Sequence, residues 1–227
     1  MQNIAAENNL SETAFYTKEK DHYQIRWFTP TTEVDLCGHA TLATAFVLWE
    51  CENHTADFIQ FQSPRSGALA VTKTEDGLTL DFPTDHYHKV PLTNELIAGF
   101  NIAPIAAYRG KDDYLFLYEN EGQIKDLFLD FQQVSKLKTR GVIVTAKGEN
   151  TDFVSRFFAP RVGVNEDPVC GSAHTLLTPF WAKCLGKNEL TALQLSQRQG
   201  FLKWKNLGDR VALSGEARLY LKGEIFI

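Results

Sequence analysis

The chain has 227 residues, of which 44% are hydrophobic and 22% charged, with a formal net charge of −5. That is enough for one large domain or two small ones, and too apolar for a disordered chain. An acidic balance without a Lys/Arg run lacks the footprint that phosphate backbones require, so no nucleic-acid partner is expected. No apolar stretch approaches the roughly 18 residues of a spanning helix. The start Met1-Gln2-Asn3-Ile4-Ala5-Ala6-Glu7 has neither a basic opening nor an apolar core. The chain reads as cytoplasmic, with no membrane partner. Cys37, Cys51, Cys170 and Cys184 are far apart and form no CxxC pair, so they read as reduced thiols and no metal centre is expected.

In chain order, a helical pattern covers Met1 to Asn8 and stops at Asn8-Asn9. Short β-type runs follow at Tyr23 to Thr29, Phe58 to Gln62, Ala68 to Thr72 and Leu78 to Phe82, with a helix at Ala40 to Glu50 between the first two. Beyond a polar stretch at Pro83 to Pro91 come a helix at Asn94 to Phe100, strands at Tyr114 to Tyr118, Gly141 to Thr145 and Phe153 to Ala159, and a helix at Ala173 to Leu185. Glu75-Asp76-Gly77 and Glu121-Gly122 read as hairpin turns. The mixture predicts an α+β fold with antiparallel sheets. The seam falls after Thr84, giving an N-terminal half of residues 1–84 and a C-terminal half of 85–227.

An internal repeat emerges from the same pass. Arg26-Trp27-Phe28-Thr29-Pro30 leads into Cys37-Gly38-His39-Ala40, and Arg156-Phe157-Phe158-Ala159-Pro160 leads into Cys170-Gly171-Ser172-Ala173. Each unit delivers the start of a helix that is apolar nearly all round, the mark of a buried central helix. A buried helix start presents unpaired N–H groups and a partial positive charge, and glycine lets a ligand approach the backbone. Two such starts predict a small carboxylate-bearing ligand at Gly38, Ala40, Gly171 and Ala173. Taken singly, His39 reads as a core histidine, Ser172 as a cap, Asp167 as an acidic residue matched to the helix dipole, and Glu7 as a solvated helix residue.

The segments Met1 to Phe15, Asp35 to Ala43 and Glu166 to His174, with Leu80-Asp81-Phe82-Pro83, resemble the phenazine biosynthesis PhzF-like family, and the resemblance covers the whole chain. It implies the diaminopimelate epimerase-like fold: two similar halves, each a curved, mainly antiparallel sheet around a central helix, with the active site between them. It further implies a homodimer and an isomerase that needs no cofactor, with Glu7 as general acid and base and His39, Asp167 and Ser172 orienting the substrate and assisting proton movement. Gly38 and Gly171 become backbone anion holders. Desolvation would strengthen such a base, and fixed N–H dipoles would stabilise the charge that develops.

Two alternatives stand beside this. Cys37 and Cys170 each precede a glycine, as do the paired bases of racemases in the wider fold superfamily, and a helix N-terminus lowers a thiol pKa. The other is a small-acid-binding protein without activity. It draws on the helical start at Met1, where family members carry a further N-terminal segment.

Overall fold

The computed structural model describes residues 1–74 and 77–226. After α1 (Gln2–Asn8), a unit runs β1 (Thr13–Lys18), β2 (Tyr23–Phe28), β3 (Glu33–Val34), α2 (Gly38–Cys51), β4 (Phe58–Ser63), β5 (Gly67–Thr74) and β6 (Gly77–Pro83). Next come β7 (His88–Val90), α3 (Asn94–Ile97), β8 (Ala106–Arg109), β9 (Asp113–Leu117), α4 (Glu121–Lys125) and α5 (Phe131–Val134). A second unit then repeats the first: β10 (Gly141–Lys147), β11 (Phe153–Ala159), β12 (Val164–Asp167), α6 (Gly171–Leu185), β13 (Glu189–Gln194), β14 (Gly200–Asn206) and β15 (Arg210–Gly215).

Pairing makes the duplication explicit. β1 with β2 and β10 with β11 are antiparallel; β2 with β4 and β11 with β13 are parallel; β4–β5–β6 and β13–β14–β15 are antiparallel meanders. The units join edge to edge, β6 antiparallel to β15 with Leu80 opposite Leu213. The hydrogen-bonded order is therefore β1-β2-β4-β5-β6-β15-β14-β13-β11-β10-β9-β8-β7. The proposed seam after Thr84 follows β6 in sequence, whereas in space the sheet continues across it.

The repeated Arg-aromatic-Phe motif has a physical basis. Arg26 pairs both oxygens of Glu33 at 2.8 and 2.9 Å and lies over the Phe28 ring. Arg156 does the same with Glu166 at 2.7 and 3.1 Å and lies over Phe158. In each unit the fork fastens a two-strand ribbon just before the helix and covers an aromatic ring two residues along the strand.

Both central helices are buried in one core, where Leu48, Phe61, Leu80, Leu177, Phe180 and Leu213 meet. Thr41 and Thr44 of α2 turn inward with their hydroxyls satisfied, donating to the carbonyls of Cys37 and Ala40. Pro179 sits inside α6. It cannot serve the Thr175 carbonyl one turn back, and the Asp85 amide does so instead at 3.1 Å. A second core lies beneath α3–α5, and β10 and β11 are buried between the two. No helix among the described residues is long and apolar enough to cross a membrane.

Two expected turns fare differently. The strands flanking the first pair as a hairpin, Thr74 opposite Gly77, while Glu75 and Asp76 lie outside the described residues. At Glu121-Gly122 the structure has α4 instead of a turn, because the Asn120 side chain caps the Gln123 amide and the Glu121 carboxylate is held by Lys125 and the Glu149 amide.

The helix starts meet at two glycines. A Cβ at Gly38 would lie 2.9 Å from the ring tip of the fully buried Phe82 and 3.4 Å from the Gly171 Cα. Gly38→Ala is expected to cost about 1–3 kcal/mol, read as a lower urea midpoint with unchanged slope. Gly223→Ala, whose Cβ meets nothing, should leave the midpoint in place.

Candidate active site

Between the abutting helix starts lies a small cavity lined by residues of both units. Cys37 and Cys170 occupy the N-cap positions of α2 and α6, and neither side chain caps its helix. First-turn amides at Gly38 and His39 and at Gly171 and Ser172 thus border the cavity without a capping side chain. Ala40 and Ala173 are buried one step deeper and do not line it.

Of the expected polar residues, His39, Asp167 and Ser172 converge here; Glu7 does not. α1 buries Ala5, and two residues further on is about 200° around the helix axis, so Glu7 faces solvent. The carboxylate that reaches the cavity is Glu12. Asn9 ends α1 in the left-handed conformation at φ 48°, its amide on the Ala5 carbonyl, and the turn that follows carries Glu12 over the start of α2. The expected Asn-Asn stop carried this signal: an acidic residue beyond a helix stop, directly before a strand, sits in a fixed turn.

Glu12 Oε2 lies 3.2 Å from His39 Nε2, and the Ser11 hydroxyl lies 3.4 Å from the same nitrogen. Cys37 Sγ is 3.7 Å from the ring's Nδ1. Burial pushes the Glu12 carboxyl up, but the adjacent His39, aided by Ser11 and Cys37, outweighs it and holds Glu12 below the ordinary value. The neighbouring Cys37 sulfur, and next the Glu12 carboxylate, hold His39 well above 6.5 against desolvation.

Asp167 closes the opposite wall. It is 5% exposed, and one oxygen accepts the Val169 amide at 3.1 Å. Burial drives its carboxyl upward, and Glu12 adds to this while His39 opposes it. Gln194 fixes the loop, donating to the Asp167 carbonyl and accepting from the Cys170 amide. Both thiols are pushed up, Cys37 by burial and Cys170 by burial and then Asp167. This corrects the expectation that the helix starts would lower them: here desolvation outweighs the dipole.

Arg140 was not foreseen. It is held by Asp113, with Nε 3.0 Å from Oδ1 and a second contact to Oδ2, and its remaining arm donates to Ser172 Oγ at 2.8 Å. Ser172 therefore accepts from a fixed cation and has its own proton free for Cys170 Sγ, 3.4 Å away, or for a ligand. A larger chamber, lined by Arg65, Asp85, Lys111 and Asp113, shares Arg140 and Ser172 with this cavity and forms its mouth. His174, by contrast, is a core histidine, stacked on Trp204 and held neutral by burial with a pKa of about 4.

A family model described as "Phenazine biosynthesis-like protein" matches residues 1–223. The chain belongs to the PhzF-like family. An uncharacterized isomerase of Halalkalibacterium halodurans is 46% identical over 230 residues, covering 100% of this chain and 87% of the relative. A PhzF-family crystal structure from Enterococcus faecalis superposes with a TM-score of 0.92 at 47% identity, covering 100% of this chain and 86% of that one. A probable proline racemase from Agrobacterium radiobacter, 8% identical, superposes with a TM-score of 0.61 over 93% of this chain and 76% of its own. That distant likeness shows the fold alone, the diaminopimelate epimerase-like fold of two similar halves.

Asp113→Asn would leave the Arg140 guanidinium without its counter-charge. Because Arg140 keeps a face on the cavity, the expected loss is about 3 kcal/mol, the low end for a broken buried pair, measured by urea unfolding. The raised His39 pKa contributes stability that is fully present below its unfolded value of 6.5 and is lost as pH rises through the folded pKa. NMR titration of the ring should give a midpoint above 6.5, and Glu12→Gln should bring it down.

Proposed function

We propose that the protein is an isomerase that moves a proton between positions of a small carboxylate-bearing cyclic or amino acid, without a cofactor, with Glu12 as base. The observation that carries this reading is the convergence of Glu12, His39, Asp167 and Ser172 on one cavity between the two helix starts, with Glu12 held down by His39 and Asp167 pushed up by burial. Two carboxyls pushed apart in this way on one cavity favour proton donation by Asp167 and proton abstraction by Glu12.

The substrate carboxylate is placed at the amides of Gly38 and Gly171, within reach of Ser172. Glu12 Oε2, buried and without a well-aligned hydrogen-bond partner, has its lone pairs available. It removes a proton from carbon, and the electron pair left behind delocalises toward the helix starts, where fixed dipoles stabilise it without reorganisation. Protonated Glu12 or Asp167 returns a proton to another carbon, so the substrate's composition is unchanged. His39, charged, steadies Glu12 between these steps. The isomerase names of the relatives agree with this chemistry.

A panel of small cyclic and amino acids incubated in D2O tests the assignment by incorporation at carbon. Glu12→Gln should slow incorporation about 10²- to 10⁴-fold, the usual worth of a positioned acid or base, whereas Glu7→Gln should not change it. Incorporation that survives Glu12→Gln would remove the reading. A second reading, with Cys37 and Cys170 as paired bases, is favoured by their facing N-cap positions. Complete loss of turnover on thiol alkylation, prevented by substrate, would support it.

A further inference from the structure

Glu12, Cys37 and His39 place one carboxylate oxygen, one sulfur and one ring nitrogen within 4.8 Å of one another. We propose that these three side chains form a binding site for a borderline-soft divalent cation of the Zn2+ class, and that the bound ion blocks the cavity. A tetrahedral zinc ion with bonds of about 2.0–2.3 Å sets its S, N and O donors roughly 3.3–3.6 Å apart. His39 Nε2 stands 3.2 Å from Glu12 Oε2 and 3.8 Å from Cys37 Sγ, so two of the three donor separations are within a few tenths of an ångström of that geometry. The third, between Glu12 and Cys37, is within 4.8 Å.

Three independent features point to a cation. Glu12 Oε2 is buried beside His39 Nε2 at 3.2 Å, and no well-directed hydrogen bond satisfies it. Cys37 and His39 belong to the N-cap and first turn of one rigid helix, which fixes their separation before any ion arrives. The charge also favours it. Glu12 and Asp167 share the cavity, and Arg140 is already neutralised by Asp113, so His39 is their balancing cation among the described lining residues.

The repeat supplies an internal contrast. Cys170 is the counterpart of Cys37, but Ser172 stands where the first unit has His39, so the second helix start lacks the nitrogen donor. The donor set belongs to one unit only. Binding exchanges the Cys37 S–H proton, and the ring proton where His39 is charged, for two bonds to the metal, and the protons pass to solvent. The inhibitory consequence rests on the isomerase reading, since Glu12 and His39 would both be occupied; the binding itself does not.

Zn2+ titration of the full chain against a chromophoric chelator, with Cd2+ as an absorbing substitute, tests the proposal. Expected are one high-affinity ion per chain, proton release in weakly buffered solution and a thiolate-to-cadmium absorption band. Cys37→Ser and His39→Gln should each weaken binding by about 100-fold or more, beyond the 10- to 100-fold typical of an outer-shell change, and Cys184→Ser should leave it unchanged. Failure of the wild-type chain to bind one ion with the cadmium band would overturn the site, without recourse to any variant. So would retention of full affinity by folded Cys37→Ser, or loss of binding in Cys184→Ser. Metal binding in a chain that shows no deuterium incorporation would retain the site and remove only its link to catalysis.

Discussion

The close approach of two helix N-termini at Gly38 and Gly171 is the constraint around which the molecule is arranged. Each terminus carries unpaired amides and roughly half a positive charge, and like ends repel when they are buried face to face. A cap on either helix would have relieved this locally. Instead both N-cap positions hold cysteines that do not cap, and compensation comes from outside the helices through Glu12 and Asp167. Glycine is required at the junction because a Cβ at Gly38 would enter the Phe82 ring and one at Gly171 would come within 3.3 Å of the Gly38 Cα. The same contact that brings the amides together leaves the gap that the carboxylates line.

Duplication explains how two such ends come to meet, and divergence explains why the site is asymmetric. Pairing of β6 with β15 relates the units by an approximate two-fold axis, and the Arg26–Glu33 and Arg156–Glu166 forks hold equivalent ribbons ahead of equivalent helices. The register matches Val34, opposite Trp27, with Asp167, opposite Phe157. The second unit therefore provides its own carboxylate, whereas in the first unit that place is apolar and a turn beyond α1 delivers Glu12. At the other equivalent place the first unit has His39 and the second has Ser172 backed by Arg140. A symmetric frame thus holds a chemically polarised pair of walls.

How much of this was legible depends on the range of the determining interaction. Both central helices, the repeated motif and the strands flanking them could be read because their signals lie within a few residues: a Cys-Gly pair before an apolar run, or an Arg two residues ahead of a phenylalanine. Glu7 and Glu12 could not be told apart by residue type. The distinction depends on which face of α1 packs and where Asn9 sends the chain, and Ala5 decides that by tertiary burial. Arg140 was invisible for the same reason, since its partner Asp113 is 27 residues away and Ser172 is 32. The helix at Glu121 overrode a turn-like Glu-Gly pair through a cap and a buried carboxylate contact, of which the Asn120 cap alone was local.

The thiols show where a correct principle gave the wrong sign. A helix N-terminus lowers a thiol pKa by a dipole whose effect is strongest when the sulfur remains partly hydrated and electropositive groups surround it. Cys37 and Cys170 are each 4% exposed and share the cavity with two carboxylates, so desolvation and like charge act together against the thiolate. The carboxyls obey the same balance with a different result. Glu12 escapes the burial penalty because His39 stands beside it, while Asp167 has the Val169 amide and a more distant share of the same charge. One imidazole therefore sets the order in which the cavity's groups ionise. Removing its proton would push Glu12 upward as well, toward the behaviour of Asp167.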